Sequence, residues 1–302
     1  MQVAVIGGGA IGAVLADAAA ASGNQVRLCV RTPIQRLVVI RDGEQLEPAL
    51  EILSHPGQVP APADVVFLTV KATDNAGAAG WLDRLVGPST LVVVAQNGLD
   101  HQSRLAPYLP PATTVVPCLA YLAAERLDAG KVRHMNGNLL VVPTRSAKRV
   151  GEAVGPGGMK VQGSDDMHTA EWQKLLGNLA ANPITALTMR RIDVVTEPGI
   201  AELVRGLLTE AAEVARADGA AIGADDVDRV ISGMARYGPE PGSSMLYDRL
   251  AGRPLEHQYL TGEVVRRGAA HHIGTPLNSA VLALLDALDR SRAVSADEAP
   301  QS

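Results

Sequence analysis

The chain has 302 residues, 47% of them hydrophobic and 20% charged, with a formal net charge of −5. That length implies about two domains rather than one small core. The composition is that of a globular protein, and the acidic balance argues against a nucleic-acid binder, which would show a basic face. No apolar run approaches the ~18 residues of a membrane-spanning helix. The opening Met1-Gln2-Val3-Ala4-Val5-Ile6-Gly7 enters a strand pattern without a basic leader, so no signal peptide is expected. Cys29 and Cys118 lack the spacing of a disulfide framework or a zinc site and are expected as small buried hydrophobes. A soluble, cytoplasmic protein without a metal is the expectation.

In chain order, compact runs rich in Val, Leu and Ile occur at Val3–Ile6, Val26–Val30, Val65–Val70, Leu91–Ala95, Thr114–Leu119 and Leu139–Val142. Such runs suit strands covered on both faces, as in a parallel sheet. Helical segments, including Ile11–Ala21 and Asn75–Leu85, lie between several of them, which predicts right-handed βαβ units in a doubly wound sheet. After about residue 165 the apolar residues recur at three- and four-residue spacing. Helices are predicted at His168–Met189, Glu197–Gly219, Asp225–Met234, Glu256–His271 and Pro276–Asp289, with Pro198 and Pro276 in first turns. The expected division is an α/β Rossmann-like domain over 1–166 and an all-α domain over 167–302, with a frayed polar tail at Ser291–Ser302.

Gly7-Gly8-Gly9-Ala10-Ile11-Gly12 follows the first strand and opens the first helix. In a G-x-G-x-x-G of this context, Gly7 makes the tight turn and Gly9 lets the backbone approach a pyrophosphate. Gly12 lets the helix lie close, and the N–H groups at the helix start, including Ala10 and Ile11, meet phosphate charge. The alternative is a glycine turn with no ligand. An NAD-binding chain places Asp or Glu at the end of the second strand for the ribose hydroxyls. Here the segment reads Leu28-Cys29-Val30-Arg31-Thr32, and Arg31 suits a 2′-phosphate, which predicts NADP(H); the alternative is a solvated surface arginine.

Within Glu171–Pro183, Lys174, Asn178 and Asn182 recur every four residues on one face of an otherwise apolar helix. Buried without partners, these groups would cost several kcal/mol. A substrate with a carbonyl, a hydroxyl and a carboxylate would supply them, whereas the alternative is a polar seam facing water.

At this point the chain resembles the ketopantoate reductase family (2-dehydropantoate 2-reductases) over nearly its whole length. The resemblance rests on the Gly7–Gly12 loop, Val70-Lys71, Gln96-Asn97-Gly98, the Lys174 helix and the segment from Ser243 to Glu256. It implies a Rossmann domain, a helical domain of the 6-phosphogluconate-dehydrogenase C-terminal type, and an active site in the cleft between them. By position, Lys174 matches the general acid, which would stabilise and protonate the oxygen of a reduced ketone. Glu256 matches the glutamate near cofactor and lysine. Asn97 matches a residue touching cofactor and substrate, Asn178 and Asn182 match substrate-binding asparagines, and Ser244 matches the serine on the carboxylate. Lys71 and Ala123 match cofactor-lining positions. The implied function is NADPH-dependent reduction of 2-dehydropantoate to (R)-pantoate in pantothenate and CoA biosynthesis. The expected partners are the small 2-oxo acid and a second copy of the chain, with neither nucleic acid nor membrane.

The chain departs from the family at Thr261-Gly262, where Asn-Gly is common, and at His257, where an apolar residue is usual. Pro117-Cys118 and Val142-Pro143 replace glycine-containing stretches; Pro143 would disturb a strand edge, and Cys118 is expected near the cleft. As a helical neighbour of Glu256, His257 would point about 100° away and act as a packing or surface residue rather than a proton donor. His271 and His272 are expected to close a helix. These departures leave open a reductase of another branched 2-oxo acid, or a catalytically silent nucleotide sensor.

Overall fold

A computed structural model describes residues 1–236 and 242–297, with side chains described as far as Ser291. Pro241, in the loop before the serine pair, lies outside the described residues. The chain forms two compact units, Met1–Gln96 with Asp100–Met167, and Asn97–Leu99 with His168–Ser302.

The first unit is built on a six-stranded parallel sheet. Its strands are β1 (Gln2–Ile6), β2 (Gln25–Cys29), β5 (Glu51–Leu53), β6 (Val65–Leu68), β7 (Leu91–Val94) and β8 (Thr114–Pro117), in the order β5-β2-β1-β6-β7-β8. This is the doubly wound order, whose direction of winding reverses between β1 and β6. The central strands, such as Val-Val-Phe-Leu of β6 and Leu-Val-Val-Val of β7, are buried at every position because helices cover both faces. On one face pack α2 (Asn75–Leu85) and Leu105 of α3 (His101–Leu105), with Trp81, Leu82 and Leu85 against Ile6, Val66 and Val92. On the other lies α1 (Ala10–Ala21), whose Val14, Leu15 and Ala18 join Val3, Val5 and Phe67.

A second sheet covers the far side of α1. It has the order β11-β10-β3-β4, from β3 (Val38–Arg41), β4 (Glu44–Leu46), β10 (Lys131–Pro143) and β11 (Lys160–Ser164), with β9 (Leu119–Asp128) antiparallel to β10. Helix α4 (Thr144–Val154) returns between β10 and β11. Of this layer, the sequence pattern predicts only the strand at Leu139–Val142. The β9–β10 ribbon is half exposed: it opens on Leu119–Ala124 of β9 and closes on the mostly buried Leu139–Val142 of β10, with polar residues in between. Pro143 does not disturb an edge: it ends β10 and caps α4, where a missing N–H is harmless. Both cysteines are buried as expected, Cys29 with its thiol pushed up to about 12 by burial. Cys118 sits wholly inside the sheet–helix core.

The second unit consists of helices α5 (Met167–Thr188), α6 (Pro198–Ala217), α7 (Asp226–Met234), α8 (Ser244–Leu250), α9 (Thr261–Ala270) and α10 (Pro276–Asp297). Pro198 and Pro276 open α6 and α10, and Glu210 of α6 accepts from the Leu277 and Asn278 N–H groups at the start of α10. Two expectations change. The helix predicted over Glu256–His271 is broken: Glu256 caps a single 3-10 turn, His257–Tyr259, and α9 starts at Thr261 after Leu260 takes a non-helical conformation. The predicted frayed tail from Ser291 is helical as far as Asp297, and residues 298–302 lie outside the described residues. No helix among the described residues is long and apolar enough to cross a membrane, and no cluster of metal-ligating side chains occurs among them.

Asp218, the C-cap of α6, ties three helices of this unit together. Its carboxylate accepts from Trp172 Nε1 of α5 at 2.9 Å, from His271 at 3.1 Å and from Arg267 of α9. Burial alone would raise this carboxyl. The Trp172 and His271 bonds and the charges of Arg267 and His168 outweigh it and hold Asp218 below its usual 3.8. A depressed folded-state value adds stability above pH ~4 and loses it as pH falls through that value. Asp218→Asn is therefore expected to lower unfolding free energy by roughly 1.5–3 kcal/mol at neutral pH, the worth of hydrogen bonds to a charged group. In denaturant titrations from pH 7 to pH 3, the gap between wild type and variant should close below pH ~4. A gap that stays constant through that range would contradict this account.

Candidate active site

In the first unit, the loop between β1 and α1 sits at the carboxyl edge of the sheet, where the winding reverses. Gly7 has a φ of 112°, and a Cβ there would meet Thr69 Oγ1 and Val70 N, each at 2.9 Å. A Cβ on Gly12 would lie 1.9 Å from the Gly7 carbonyl oxygen and 2.4 Å from Thr69 Oγ1. Gly12 therefore serves the approach of α1 to the turn itself. The Thr69 hydroxyl stitches this turn by donating toward the carbonyls of Ile6 (2.9 Å) and Gly7 (3.0 Å). Thr69 was not singled out from the sequence; only its place after an apolar strand marks it. A Cβ on Gly8 would touch only the Val30 side chain, while one on Gly9 would meet nothing within 4 Å. Helix α1 then starts at Ala10 with no side-chain cap and no acid in its first turn. The N–H groups of Ala10, Ile11 and Gly12 belong to that open first turn. A cradle tight beneath and open above Gly9 fits a pyrophosphate.

Three other candidates lie in the same unit. Arg31 follows β2 with its side chain 87% exposed and its guanidinium 3.9 Å from Asp74 Oδ1. Asp74, in the turn after β6, is an acid near the arginine that the second strand did not reveal. Lys71 is half-buried and follows Val70, whose carbonyl accepts from Gln96 Nε2 at 2.9 Å. The same nitrogen donates to Asn75 Oδ1 at 2.6 Å, so one buried amide braces the exits of β6 and β7. Ala123 lies on β9 opposite Asn136 of β10, in the second sheet.

The remaining candidates share the second unit. Asn97 belongs to it because Leu99, 3% exposed, is buried with Trp172, Leu175 and Leu179 of α5. Asn178 Nδ2 donates to Asn97 Oδ1 at 3.5 Å, and Asn97 Nδ2 donates to Glu256 Oε2 at 3.4 Å, a chain of long hydrogen bonds. Lys174 lies one turn before Asn178 on α5, and both are half-buried. Asn182, one turn further, is buried next to Pro183, which cannot supply the N–H for the Leu179 carbonyl.

Asn182 Oδ1 accepts from Ser244 Oγ at 3.1 Å and from Met245 N at 3.2 Å, which leaves its amide nitrogen as a donor. Ser243 is the N-cap of α8: its Oγ accepts from Leu246 N at 3.1 Å and meets Thr185 Oγ1 at 2.6 Å. Of the N–H groups at this helix start, those of Met245 and Leu246 are thus spent on Asn182 and Ser243. Ser244 itself is exposed and does not cap.

The departures resolve as packing. His257 is 4% exposed, and its Nε2–H donates to Asp286 Oδ1 of α10 at 2.8 Å, so it is a packing residue, by position in a turn rather than in a helix. Thr261 is wholly buried at the start of α9. His271 caps the end of α9 and bonds Asp218, and His272 follows with a φ of 58°.

Comparison with known proteins bears on both units. The family model described as ketopantoate reductase PanE/ApbA matches residues 3–146, and the one described as ketopantoate reductase PanE/ApbA C terminal matches residues 166–289. A 2-dehydropantoate 2-reductase of Mycobacterium tuberculosis is 36% identical over 288 residues, which span 94% of this chain and 97% of that protein. The solved structure of a PanE/ApbA family ketopantoate reductase from Ralstonia eutropha is 30% identical with a TM-score of 0.87, over 97% of this chain and 100% of that one. A dimeric ketopantoate reductase from Staphylococcus aureus is 25% identical, also with a TM-score of 0.87, over 97% of this chain and 100% of that one. With both units matched and a relative of such identity spanned nearly end to end, the chain belongs to the ketopantoate reductase family.

Proposed function

We propose that this protein reduces 2-dehydropantoate to (R)-pantoate with NADPH, a step of pantothenate and CoA biosynthesis. The observation that carries the reading is the Asn178–Asn97–Glu256 hydrogen-bond chain one helical turn from Lys174. The names of the relatives supply the substrate. The proposed assembly is a homodimer, as stated for the Staphylococcus aureus reductase.

When bound, NADPH supplies a hydride to the carbonyl carbon of the oxo acid. As that bond forms, the carbonyl π electrons move onto oxygen, where the Lys174 ammonium stabilises the charge and donates the proton. The amine left behind regains a proton from solvent. By its match to the family, Glu256 is the carboxylate that stands near the cofactor and the lysine. Successive residues of the Lys174–Asn178–Asn182 face rise ~6 Å along the helix, a spacing that lets one small acid meet each in turn. Asn182, with its oxygen committed to α8, offers N–H to the substrate hydroxyl. For the carboxylate, Ser244 would turn toward the substrate the hydroxyl hydrogen that it gives to Asn182 Oδ1 here. Gly7–Gly12 holds the pyrophosphate, and Arg31 the 2′-phosphate.

The reading is tested by following NADPH consumption with 2-dehydropantoate and a panel of other branched 2-oxo acids. The highest kcat/KM is expected for 2-dehydropantoate, and a clear preference for another acid would replace the substrate. Lys174→Ala should lower kcat by about 10²–10⁴-fold while NADPH still binds; near-normal turnover would make Lys174 structural. Arg31→Ala should weaken NADPH by roughly 10–100-fold and leave NADH unchanged, as loss of a charge-assisted contact does. Equal affinity of the wild type for both cofactors would sink the NADP assignment. Ser244→Ala should raise KM for the oxo acid by about tenfold with an unchanged melting temperature. Ser243→Ala, by contrast, removes the cap and should lower stability by about 0.5–2 kcal/mol. The reverse pattern would show that Ser244 holds the fold rather than the substrate.

A further inference from the structure

Glu256 belongs to no helix. It precedes a lone 3-10 turn, which by itself does little to hold a side chain in one place. The residues on both sides of it are bonded to two carboxylates of α10. Leu255 N–H donates to Asp289 Oδ1 at 3.2 Å. His257 Nε2–H donates to Asp286 Oδ1 at 2.8 Å, and Gln258 Nε2 donates to the same oxygen at 2.6 Å. Asp286 and Asp289 are three residues apart and so share a face of the helix. His257 is buried, which shields its bond from water and strengthens it.

Helix α10 does not need these bonds to dock. Val281 and Leu285 are buried in the helical core, and Glu210 fastens the helix start through Leu277 N, Asn278 N and Asn278 Nδ2. The carboxylates act instead on the short stretch Leu255–Gln258, with only Glu256 left to reach Asn97. We propose that Asp286 and Asp289 are positioning residues that hold Glu256 in its catalytic place by clamping Leu255, His257 and Gln258. They touch neither substrate nor cofactor and act through the turn. A functional side chain must be held within about 0.5 Å, and a misplacement of ~1 Å can cost about 10²-fold in rate. The proposal rests on the reading of Glu256 as part of the active site.

The experiment measures kcat, KM for 2-dehydropantoate and melting temperature in Glu256→Ala, Asp286→Ala, Asp286→Asn and the Glu256→Ala/Asp286→Ala double variant. Asp286→Ala is expected to lower kcat by about tenfold or more, within the range a misplaced group causes. Asp286→Asn keeps an oxygen that accepts the same two N–H groups and should recover most of that loss. In the Glu256→Ala background, Asp286→Ala should take nothing further from kcat, because there is no carboxylate left to position. If Asp286→Ala does not fold, His257→Leu, which keeps the packing and removes the N–H, replaces it with the same expected outcomes. A slowed Glu256→Ala beside an unaffected Asp286→Ala, or losses that multiply in the double variant, would overturn the proposal alone. Near-normal turnover in Glu256→Ala would overturn the reading beneath it and the proposal together.

Discussion

The burial of Leu99 is the constraint on which the candidate site depends. Three residues, Asn97–Leu99, leave the sheet unit two residues after the end of β7, and Leu99 enters the core around Trp172, Leu175 and Leu179. Full burial of a leucine is worth about 1.5–3 kcal/mol, enough to fix the path of so short a segment. Asn97 is carried along, and its amide lies between Asn178 and Glu256 with donor and acceptor correctly paired. An apolar contact thereby sets the geometry of a polar site.

The glycine turn of the other unit works by a related logic, in which close approach replaces burial. The Gly7 carbonyl and the Thr69 hydroxyl occupy the space that a side chain at Gly12 would need. The first turn of α1 is thereby pressed against the end of β1, with its N–H groups unspent. The rest of the unit supports this edge. The sheet holds β1 and β6 side by side, α1 is buried between two sheets, and Gln96 braces the exits of β6 and β7.

Around Asn182 the start of α8 is held by two side chains, Asn182 and Ser243. The Asn182 oxygen accepts the Met245 N–H and Ser243 Oγ accepts the Leu246 N–H, so these two groups are spent within the protein. The Ser244 hydroxyl gives its hydrogen to the same Asn182 oxygen. The short helix α8 is thus tied to α5 through the side chain of Asn182.

The sequence by itself determined the parallel sheet, most of the helices and the glycine turn, because each is a local pattern. Covered strands read as unbroken apolar runs, helices as three- and four-residue spacing, and the turn as glycines at set offsets. Resemblance carried the candidate residues, of which Lys174, Asn178 and Asn182 also stand out as a polar face on an apolar helix. The second sheet was legible only at Leu139–Val142, because much of the β9–β10 ribbon is half exposed, β3 and β4 are short, and β3 is far from its partner β10 in the chain. The break at Leu260 was equally hidden, since Glu256–His271 has helical composition throughout. Only the tertiary structure decided which serine caps α8, that Asp74 stands near Arg31, and that Asp286 and Asp289 grip the turn around Glu256. The capping bond itself is local, but the contacts of Ser243 with Thr185, of Arg31 with Asp74 and of the turn with α10 join residues tens of positions apart, and such contacts are set by packing, which no local pattern encodes.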